Sequence, residues 1–400
     1  MVFGAGKIGR SFIGQLFGVS DYEVIFVDIY KELIDELNKR KSYKVIIKSE
    51  IEQEILVQNV RGIHLGDVQE IIEELVSVDI AAVSVGQQGF EVLFPILAQG
   101  IERRWLENKS FPLDLILAEN LRNASEFFEE NLRKLLPENF PIKTFVGFVE
   151  TSIGKMVPIM RKEDLEKDIL QVFAEPYNTL ILDKKGFRNP IPDVRGLAPK
   201  DNMKAWVDRK SFIHNLGHAA VSYLGYLDNP AYEFLYEALA KNELRNEVRE
   251  TMLEAADILM AEYPDEFTII DLTNHIDDLL FRFSNKYLGD TIFRVGCDLY
   301  RKLSLHDRLA GAIVVARKHG KDYKLIIKSL VSGFYFRAMG SDGKPFEKDK
   351  AFVKDFEKGI EYLMVNVCGF NPIMDNDLIN EAYSISKEVE NRYDLNRKII

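Results

Sequence analysis

The chain has 400 residues, 46% of them hydrophobic and 29% charged, with a formal net charge of -11 at pH 7. This composition is typical of a globular protein with about two domains and excludes a disordered chain. The negative charge repels polyanions, so nonspecific nucleic-acid binding is not expected. No stretch approaches the roughly 20 apolar residues of a membrane span and the N-terminus lacks a signal-like segment, which predicts a cytoplasmic protein. Cys297 and Cys368 stand alone and offer neither a disulfide framework nor a thiolate metal cage.

Four apolar runs in the first third of the chain predict β-strands, at 24–27, 80–85, 113–118 and 144–149. Amphipathic spacers separate them, an alternation that is typical of a parallel sheet covered by helices. A shorter apolar segment comes before them at residues 1–3. The first domain is therefore predicted to be an α/β Rossmann domain, doubly wound around a mainly parallel sheet, over residues 1–190.

The pattern changes around residues 175–200, where prolines and glycines crowd an otherwise irregular stretch, and we place the domain junction there. From residue 202 onward, apolar residues recur at three and four positions, as packed helices require. Five helical segments are predicted, at 203–226, 230–262, 269–284, 304–318 and 349–366. The second domain, residues 191–400, is therefore predicted to be a mainly α-helical domain that binds the substrate and carries the catalytic residues.

A glycine-rich loop directly follows the first apolar segment and precedes a helix. It reads Gly4-Ala5-Gly6-Lys7-Ile8-Gly9, which satisfies the GxGxxG pattern of dinucleotide-binding domains. The three glycines allow a tight turn, a close approach of the backbone to a pyrophosphate, and close packing of helix on strand. The helix N-terminus then favours negative charge, because its N–H groups and dipole face the phosphates.

Asp28 stands at the end of the apolar run 24–27, nineteen residues after Gly9. A carboxylate there accepts hydrogen bonds from the adenosine ribose hydroxyls and repels a 2'-phosphate, so NAD is predicted as the cofactor in preference to NADP. Gly86 ends another apolar run and is a supporting cofactor-binding candidate, although a plain strand-ending glycine explains it equally well.

The segment 208–218 is predicted to be helical and carries three polar residues that can line one cleft, Lys210, Asn215 and His218. On an α-helix they fall within an arc of about 140°. A lysine whose pKa is lowered by burial can remove the hydroxyl proton when an alcohol is oxidised without a metal. The amide of Asn215 can donate to the oxygen on which negative charge develops, and His218 is an orienting or proton-sharing partner.

Asn120 is the fourth catalytic candidate, because it follows the apolar run 113–118 and can donate to the same oxygen from the opposite side. Each of these residues also has a structural explanation: a lysine that extends from a helix to solvent, a packing amide or a buried histidine. Their occurrence together, downstream of a dinucleotide-binding pattern, favours catalysis. His214 lies on the same helix and is interpreted as structural.

The chain resembles the polyol-specific long-chain dehydrogenases of the mannitol dehydrogenase family, and within it the branch that acts on polyol phosphates. The matching phrases are FGAGKIGRSFIG at 3–14, AEN at 118–120, VGFV at 146–149, RKSFIHNLGHA at 209–219 and RKLSLHDRL at 301–309. The resemblance implies a zinc-independent reaction in which Lys210 is the acid/base, Asn120 and Asn215 hold the reacting oxygen and His218 assists. It also implies the interconversion of D-mannitol 1-phosphate and D-fructose 6-phosphate with NAD.

Substrate contacts follow from the same resemblance. Arg294 and Lys302 resemble its cationic substrate-binding positions, and the nearby Arg301 and Arg308 can assist with a phosphate, although solvated helix charges explain all four equally well. Members of the family commonly carry an aspartate-arginine pair after the VGFV strand, where this chain has Gly154 and Lys155. A contact with a substrate hydroxyl is therefore expected to be missing.

Two alternative functions remain open. One is a reductase or dehydrogenase of a hexuronate or of a free polyol on the same fold, and the other is a nucleotide-binding homologue without turnover. A metal-dependent dehydrogenase is disfavoured, since no clustered Cys, His or Glu spacing occurs. The expected partner is a small polyol or sugar phosphate, bound in a cleft between the domains of a monomer or small homo-oligomer, with no nucleic acid and no membrane.

Overall fold

The computed structural model describes residues 1–158 and 160–393 and divides into two compact units, Met1–Val207 and Asp208–Ile400. The end of the second predicted domain, residues 394–400, lies outside the described residues. The units separate within a helix, later in the chain than the predicted junction, and the boundary between residues 190 and 191 stays a prediction.

The described part of the first unit contains two sheets. An eight-stranded sheet has the strand order β11-β10-β8-β7-β6-β1-β2-β5, and a three-stranded sheet has the order β4-β3-β9. The strands are β1 (Val2–Phe3), β2 (Val24–Asp28), β3 (Ser42–Ile47), β4 (Gln53–Gln58), β5 (Val60–His64), β6 (Ile80–Val83), β7 (Leu113–Leu117), β8 (Val146–Ser152), β9 (Val172–Ala174), β10 (Leu180–Asp183) and β11 (Leu197–Lys200).

The large sheet is parallel except where β10 runs against β8. Its strands are buried on both faces: Ile25 and Val27 belong to one core, while Val24 and Phe26 belong to the other. Strand β1 lies between β2 and β6, so the chain turns from one direction of winding to the other beside β1. The predicted doubly wound Rossmann domain is confirmed.

The helices of this unit are α1 (Gln15–Gly18), α2 (Lys31–Arg40), α3 (Val68–Ser77), α4 (Phe90–Glu107), α5 (Ala124–Arg133), α6 (Ile142–Phe145) and α7 (Lys162–Lys167). A π-helical segment, Gly9–Gly14, precedes α1, and two 3-10 turns lie at Gln87–Gly89 and Lys184–Gly186.

The predicted strands at 24–27, 80–85 and 113–118 begin at the observed residue and end within two residues of the observed end. The fourth prediction is displaced at both ends. The strand predicted at 144–149 begins at Val146, because Thr144 lies in α6. The stretch 175–200 is not irregular, since it contains β10 and β11. Pro199 is tolerated within β11 because that strand is at the edge of the sheet, where one side needs no ladder hydrogen bonds.

The small sheet has no counterpart among the predicted strands. Strands β3 and β4 form an antiparallel hairpin, and β9 pairs with β3 in parallel from far along the chain. Charged side chains such as Lys44 and Glu54, which form an ion pair across the hairpin, interrupt the apolar runs. That interruption explains why apolar runs alone did not predict the hairpin.

The second unit is helical over its described length, which confirms the predicted fold class. Helix α8 (Met203–Arg209) crosses the boundary and continues through a π-helical segment, Lys210–Asn215, into α9. The following helices are α9 (Leu216–Asp228), α10 (Leu235–Leu239), α11 (Asn242–Glu262), α12 (Ile269–Phe283), α13 (Ile292–Gly296), α14 (Leu299–Lys302), α15 (Ala310–His319), α16 (Lys324–Phe334), α17 (Lys350–Phe356), α18 (Ile360–Asn366) and α19 (Asn376–Arg392). The 3-10 turns of this unit are Lys286–Leu288 and Glu347–Asp349.

Two predicted helices are each divided in the structure, and one begins later than predicted. The segment 230–262 forms α10 and α11, and 349–366 forms α17 and α18 with Gly359 between them at φ +95°. A left-handed residue stops an α-helix, so an apolar period that continues across it does not mean one helix. Helix α15 begins at Ala310, six residues after the predicted start.

Helix α9 is the centre of the second unit. Residues on all its sides are buried, including Leu216, Ala220, Tyr223 and Leu224, as in a helix surrounded by others. The catalytic candidates lie on its first turns and on the π-helical segment before it. No helix among the described residues combines the length and the apolar character that a membrane-spanning segment needs.

Candidate active site

The glycine loop after β1 has the conformation that its three glycines predict. Gly4 has φ +93°, and a Cβ atom there would lie 2.5 Å from the Ser84 carbonyl oxygen. A Cβ atom on Gly9 would collide with the Gly4 carbonyl oxygen, whereas one on Gly6 would meet no atom within 4 Å. Gly4 and Gly9 are therefore required by the fold itself, while Gly6 leaves space in which a pyrophosphate can approach the backbone.

A cavity of about 530 Å³ opens beside this loop, and Gly6, Asp28, Ser84 and Gln88 are among its lining residues. Asp28 Oδ2 accepts a hydrogen bond from the Ala5 backbone N–H at 2.7 Å, and Oδ1 accepts one from the Tyr30 backbone N–H at 3.0 Å. These two bonds fix the carboxylate at the cavity wall. The open space at Gly6 and this carboxylate fit the phosphates and the ribose of the predicted cofactor, NAD.

Arg10 braces the glycine loop from within the protein, a role that the sequence did not reveal. Its Nε donates to the Ala5 carbonyl at 2.6 Å and its Nη1 to the Leu170 carbonyl at 2.7 Å. The Tyr43 hydroxyl donates to the Arg10 carbonyl at 2.7 Å. Burial lowers the pKa of Arg10 to about 10, so the side chain remains a cation at neutral pH.

Gly86 and Asn120 lie at the carboxyl edge of the large sheet, after β6 and β7. Gly86 has φ +77°, which favours glycine, and its N–H donates to Glu119 Oε1 at 2.9 Å. Burial raises the pKa of Glu119. Asn120 is exposed directly after Glu119. The sheet thus brings Gly86 and Asn120 to the same edge as the glycine loop, and Glu119, which sequence reasoning missed, joins the loops after β6 and β7.

In the second unit, Lys210 begins the π-helical segment that Asn215 ends. The assumption of α-helical geometry was wrong here. The wider π turn places residues five apart on one face, much as an α-helix does with residues four apart, so Lys210 and Asn215 share a face. Burial lowers the pKa of Lys210 to about 8, and the charge of Arg308 contributes.

Arg308 joins these residues to the predicted substrate positions. The side chain is buried; its Nη1 donates to the Asn215 carbonyl at 3.3 Å, and its Nε donates to Asp307 Oδ1 at 2.7 Å. Lys302 is also buried, and its Nζ donates to the Val295 carbonyl at 2.6 Å. Burial and the charge of Arg308 lower the pKa of Lys302 to about 7. Two buried basic side chains thus lie close to the catalytic candidates.

Arg294 and Arg301 differ in their surroundings. Arg294 pairs with Asp290, and its charge contributes to lowering the pKa of His218, which places it near that ring. Arg301 is about half exposed and pairs with Asp298 and Asp307. Its link to the cluster is indirect, because Asp307 also binds Arg308. The side chains of Arg294 and Arg301 are equally exposed, at 49% each, whereas Arg308 and Lys302 are buried.

His218 is held in a buried aromatic environment. Its ring stacks on Phe283 with a centroid separation of 3.9 Å and meets the His214 ring edge-on at 5.0 Å. Burial, followed by the charge of Arg294 and neighbouring cations, keeps the pKa of His218 well below its usual value. His218 is therefore a neutral imidazole at physiological pH. Burial lowers the pKa of His214 as well, and its structural role stays a prediction.

Lys155, at the position where the family commonly has arginine, is occupied within the first unit. Its Nζ donates to Asn178 Oδ1 at 2.7 Å and to Gln15 Oε1 at 3.1 Å. Gln15 begins helix α1, which follows the glycine loop, so Lys155 supports the cofactor helix. The absence of a substrate contact at Gly154 stays a prediction. In residues 1–158 and 160–393, no three His, Cys, Asp or Glu side chains are grouped as metal ligands.

A Rossmann unit with a cavity of about 530 Å³ beside its glycine loop is typical of a nucleotide-dependent oxidoreductase. In the helical unit, the half-buried Lys210 with its lowered pKa is the candidate acid/base. The family comparison makes this specific. The mannitol dehydrogenase Rossmann domain matches residues 1–196, and the mannitol dehydrogenase C-terminal domain matches residues 202–386. The chain belongs to the mannitol dehydrogenase family of oxidoreductases.

Two solved structures resemble the chain over nearly its whole length. One is the Pseudomonas fluorescens mannitol 2-dehydrogenase ternary complex with NAD and D-mannitol, with 17% identity, a TM-score of 0.76, and coverage of 100% of this chain and 94% of that one. The other is a substrate-free D-sorbitol dehydrogenase, with 16% identity, a TM-score of 0.80, and coverage of 98% and 93%. At these identities the likeness establishes a shared fold.

Proposed function

We propose that the protein interconverts D-mannitol 1-phosphate and D-fructose 6-phosphate with NAD, the reaction of a mannitol-1-phosphate 5-dehydrogenase. The observation that carries this proposal is the cluster of cations around Lys210. Arg308 is buried beside Lys210, the buried Lys302 lies near Arg308 and His218, and Arg294 also lies near His218. Asp307 and Asp290 already pair with Arg308 and Arg294, whereas Lys302 donates to a neutral backbone carbonyl. A phosphate monoester has the charge and the acceptor oxygens to bind such a group of basic side chains in addition to these carboxylates.

Asp28 supports NAD as the cofactor in preference to NADP. Its carboxylate is fixed at the wall of the cavity by backbone N–H groups, where it repels a 2'-phosphate. Gly6 leaves room for the pyrophosphate beside the N-terminus of the following helix. When bound, NAD supplies the hydride acceptor for alcohol oxidation and, as NADH, the hydride donor for ketone reduction.

Lys210 is the acid/base of this proposal. With a pKa of about 8, a substantial fraction of the side chain is a neutral amine near neutral pH and can take the hydroxyl proton of the polyol. In the reverse direction the ammonium returns that proton to the ketone oxygen. The amide of Asn215 donates to this oxygen, and no metal ion is required to lower its pKa.

A hexuronate or a free polyol is the second candidate, and two observations favour it. A carboxylate satisfies the same cations as a phosphate does, and the Gly154-Lys155 pair departs from the usual aspartate and arginine. Phosphate and carboxylate differ in charge and in the number of acceptor oxygens, so substrate competition separates them.

The test is the oxidation of NADH by the purified protein with fructose 6-phosphate, fructose and a hexuronate assayed side by side, with and without EDTA. Turnover with fructose 6-phosphate alone, unaffected by EDTA, is the expected result. Activity confined to an unphosphorylated sugar would assign the protein to a sister branch of the family. Saturable NADH binding without turnover of any substrate would favour the non-catalytic homologue.

A further inference from the structure

Asp290 is a buried carboxylate that the catalytic scheme does not use. It lies between Gly289, which has φ +67°, and Thr291, whose side chain caps α13 by accepting from the Arg294 N–H. The left-handed turn and the cap fix the backbone on both sides of Asp290. Its side chain is only 6% exposed, so the turn directs the carboxylate into the protein rather than to solvent.

The two oxygens of this carboxylate have different neighbours. Oδ1 pairs with Arg294, whereas Oδ2 lies 3.7 Å from His218 Nε2. Within the described residues both Oδ2 and Nε2 are buried without a hydrogen bond. A carboxylate accepts and an imidazole N–H donates, so the two atoms complement each other. The separation is slightly too long for a hydrogen bond, as is common for catalytic contacts in ligand-free proteins.

The orientation of the His218 ring is fixed by its neighbours, so the property left to be determined is which ring nitrogen carries the proton. Stacking on Phe283 and the edge contact with His214 hold the plane of the ring. The pKa of His218 is kept well below its usual value by burial and by four neighbouring cations, so the ring is neutral and carries one N–H. Asp290 is the acidic group that faces Nε2, and Arg294 helps to keep its carboxylate ionised although burial raises its pKa.

We propose that Asp290 is a positioning residue that selects the Nε2–H tautomer of His218. The other ring nitrogen, Nδ1, is then a hydrogen-bond acceptor for a hydroxyl group of the polyol. The substrate part of this inference rests on the proposed function. The same carboxylate also holds Arg294, so one buried group orders a substrate-binding imidazole and a substrate-binding cation together.

The tautomer can be measured without any turnover. The chain has six histidines, so protein labelled with ¹⁵N in histidine gives a small set of ring signals, and His218→Asn identifies those of His218. In the free protein at pH 8 we expect a pyrrole-type Nε2 and a pyridine-type Nδ1. A protonated Nδ1 in the wild-type protein would overturn the inference, whether or not any variant folds.

Asp290→Asn sharpens the same experiment. The amide is close in size and removes the charge, so the ring is expected to shift toward the other tautomer or a mixture. Asp277→Asn is the matched control, because Asp277 also pairs with an arginine in this unit but lies on the exposed face of α12. Because the amide oxygen of this variant can still accept from Nε2–H, Asp290→Ala is measured beside it, and an unchanged His218 signal in Asp290→Ala would contradict the role of Asp290. These NMR measurements test the tautomer of His218 even if fructose 6-phosphate is not the substrate.

Kinetics supply a second arm for an active enzyme. Asp290→Asn is expected to lower kcat/KM roughly 10- to 100-fold while NADH binding is retained, a smaller loss than that of an acid/base group itself, because Asp290 acts only by positioning His218. If Asp290 acts through His218, the double variant with His218→Asn should lose no more than about twofold beyond His218→Asn alone. The opposite result would be that Asp290→Asn lowers kcat/KM by its full factor when it is combined with His218→Asn, but has no further effect when it is combined with Arg294→Gln. That result would show that Asp290 acts only through Arg294.

Discussion

The cofactor loop of the first unit depends on its backbone, whereas the helix of the second unit that carries the catalytic candidates depends on its side chains. At the loop the backbone does the recognition, because Gly4 and Gly9 leave no space for a side chain and Gly6 leaves space for the ligand. At the helix the side chains act, and Lys210 is tuned by burial and by the charge of Arg308. The loop should therefore be sensitive to added volume, and the helix to lost charge.

Replacing Lys210 should give the largest effect. Lys210→Met removes the acid/base and is expected to lower kcat by about 10³-fold or more while leaving NADH affinity within about twofold, since general acid/base groups contribute up to about 10⁴-fold. Steady-state kinetics and a fluorescence titration of NADH measure the two effects. Lys204→Met, on the exposed side of α8, is the control and should retain activity. Loss of NADH binding together with turnover would indicate a structural lysine.

Two glycines of the loop, Gly6 and Gly9, allow the same substitution to be compared at two positions with different surroundings. Gly9→Ala forces a methyl group against the Gly4 carbonyl and should destabilise the protein by about 1–3 kcal/mol, the usual cost of overpacking. Gly6→Ala should keep the thermal midpoint and weaken NADH binding instead, because its methyl group enters the space for the ligand. Thermal unfolding and NADH titration of both variants test this. Equal changes in thermal midpoint and in NADH affinity in the two variants would contradict the different roles assigned to Gly6 and Gly9.

Asp28→Ala should have a moderate effect. It removes the carboxylate at the cavity wall and is expected to weaken NADH binding about tenfold, as loss of a charge-assisted hydrogen bond does. The ratio of the NADPH dissociation constant to the NADH dissociation constant should also fall, because the carboxylate no longer repels the 2'-phosphate. Asp35→Ala, on the exposed face of α2, is the control for charge alone. Dissociation constants for both nucleotides measure the outcome. A preference that stays unchanged would mean that Asp28 only holds the loop through Ala5 and Tyr30.

The smallest effect is a shift in a pH profile. Oxidation needs the neutral amine of Lys210, so kcat/KM for the polyol should rise with pH and level off above about 8, the folded-state pKa of that lysine. For an ordinary lysine the rise would continue to about 10. Initial rates between pH 6 and 10 decide between these. An inflection near 10 would show that the pKa of the titrating base is not lowered by its surroundings, and an inflection that persists in Lys210→Met would show that Lys210 is not that base.

The cofactor loop could be predicted from sequence because its residues are adjacent and each glycine has a local steric reason. The catalytic candidates were proposed from one helix, from the end of one predicted strand and from a resemblance, but the side chains that surround them could not be predicted from the sequence. Lys210 depends on Arg308, which is far along the chain, and Asp290 reaches His218 from a separate turn. No sequence pattern indicated those contacts.

Two further features were missed for physical reasons. The π-helical turns at Gly9–Gly14 and Lys210–Asn215 have no composition of their own, since their residues are ordinary for an α-helix. The small sheet depends on β9, which pairs with β3 across more than a hundred residues. Periodicity detects a buried face within a segment, and it does not detect which distant segment covers that face.

The most direct test of the phosphate assignment is the ratio of kcat/KM for fructose 6-phosphate to that for fructose, in the wild-type enzyme and in Arg308→Gln. Effects on Lys210 are common to both substrates and cancel in the ratio. We predict a wild-type ratio above about 100 that falls about tenfold or more in the variant, as loss of a charge-assisted contact requires. A ratio near one, or one that Arg308→Gln leaves unchanged, would contradict the account.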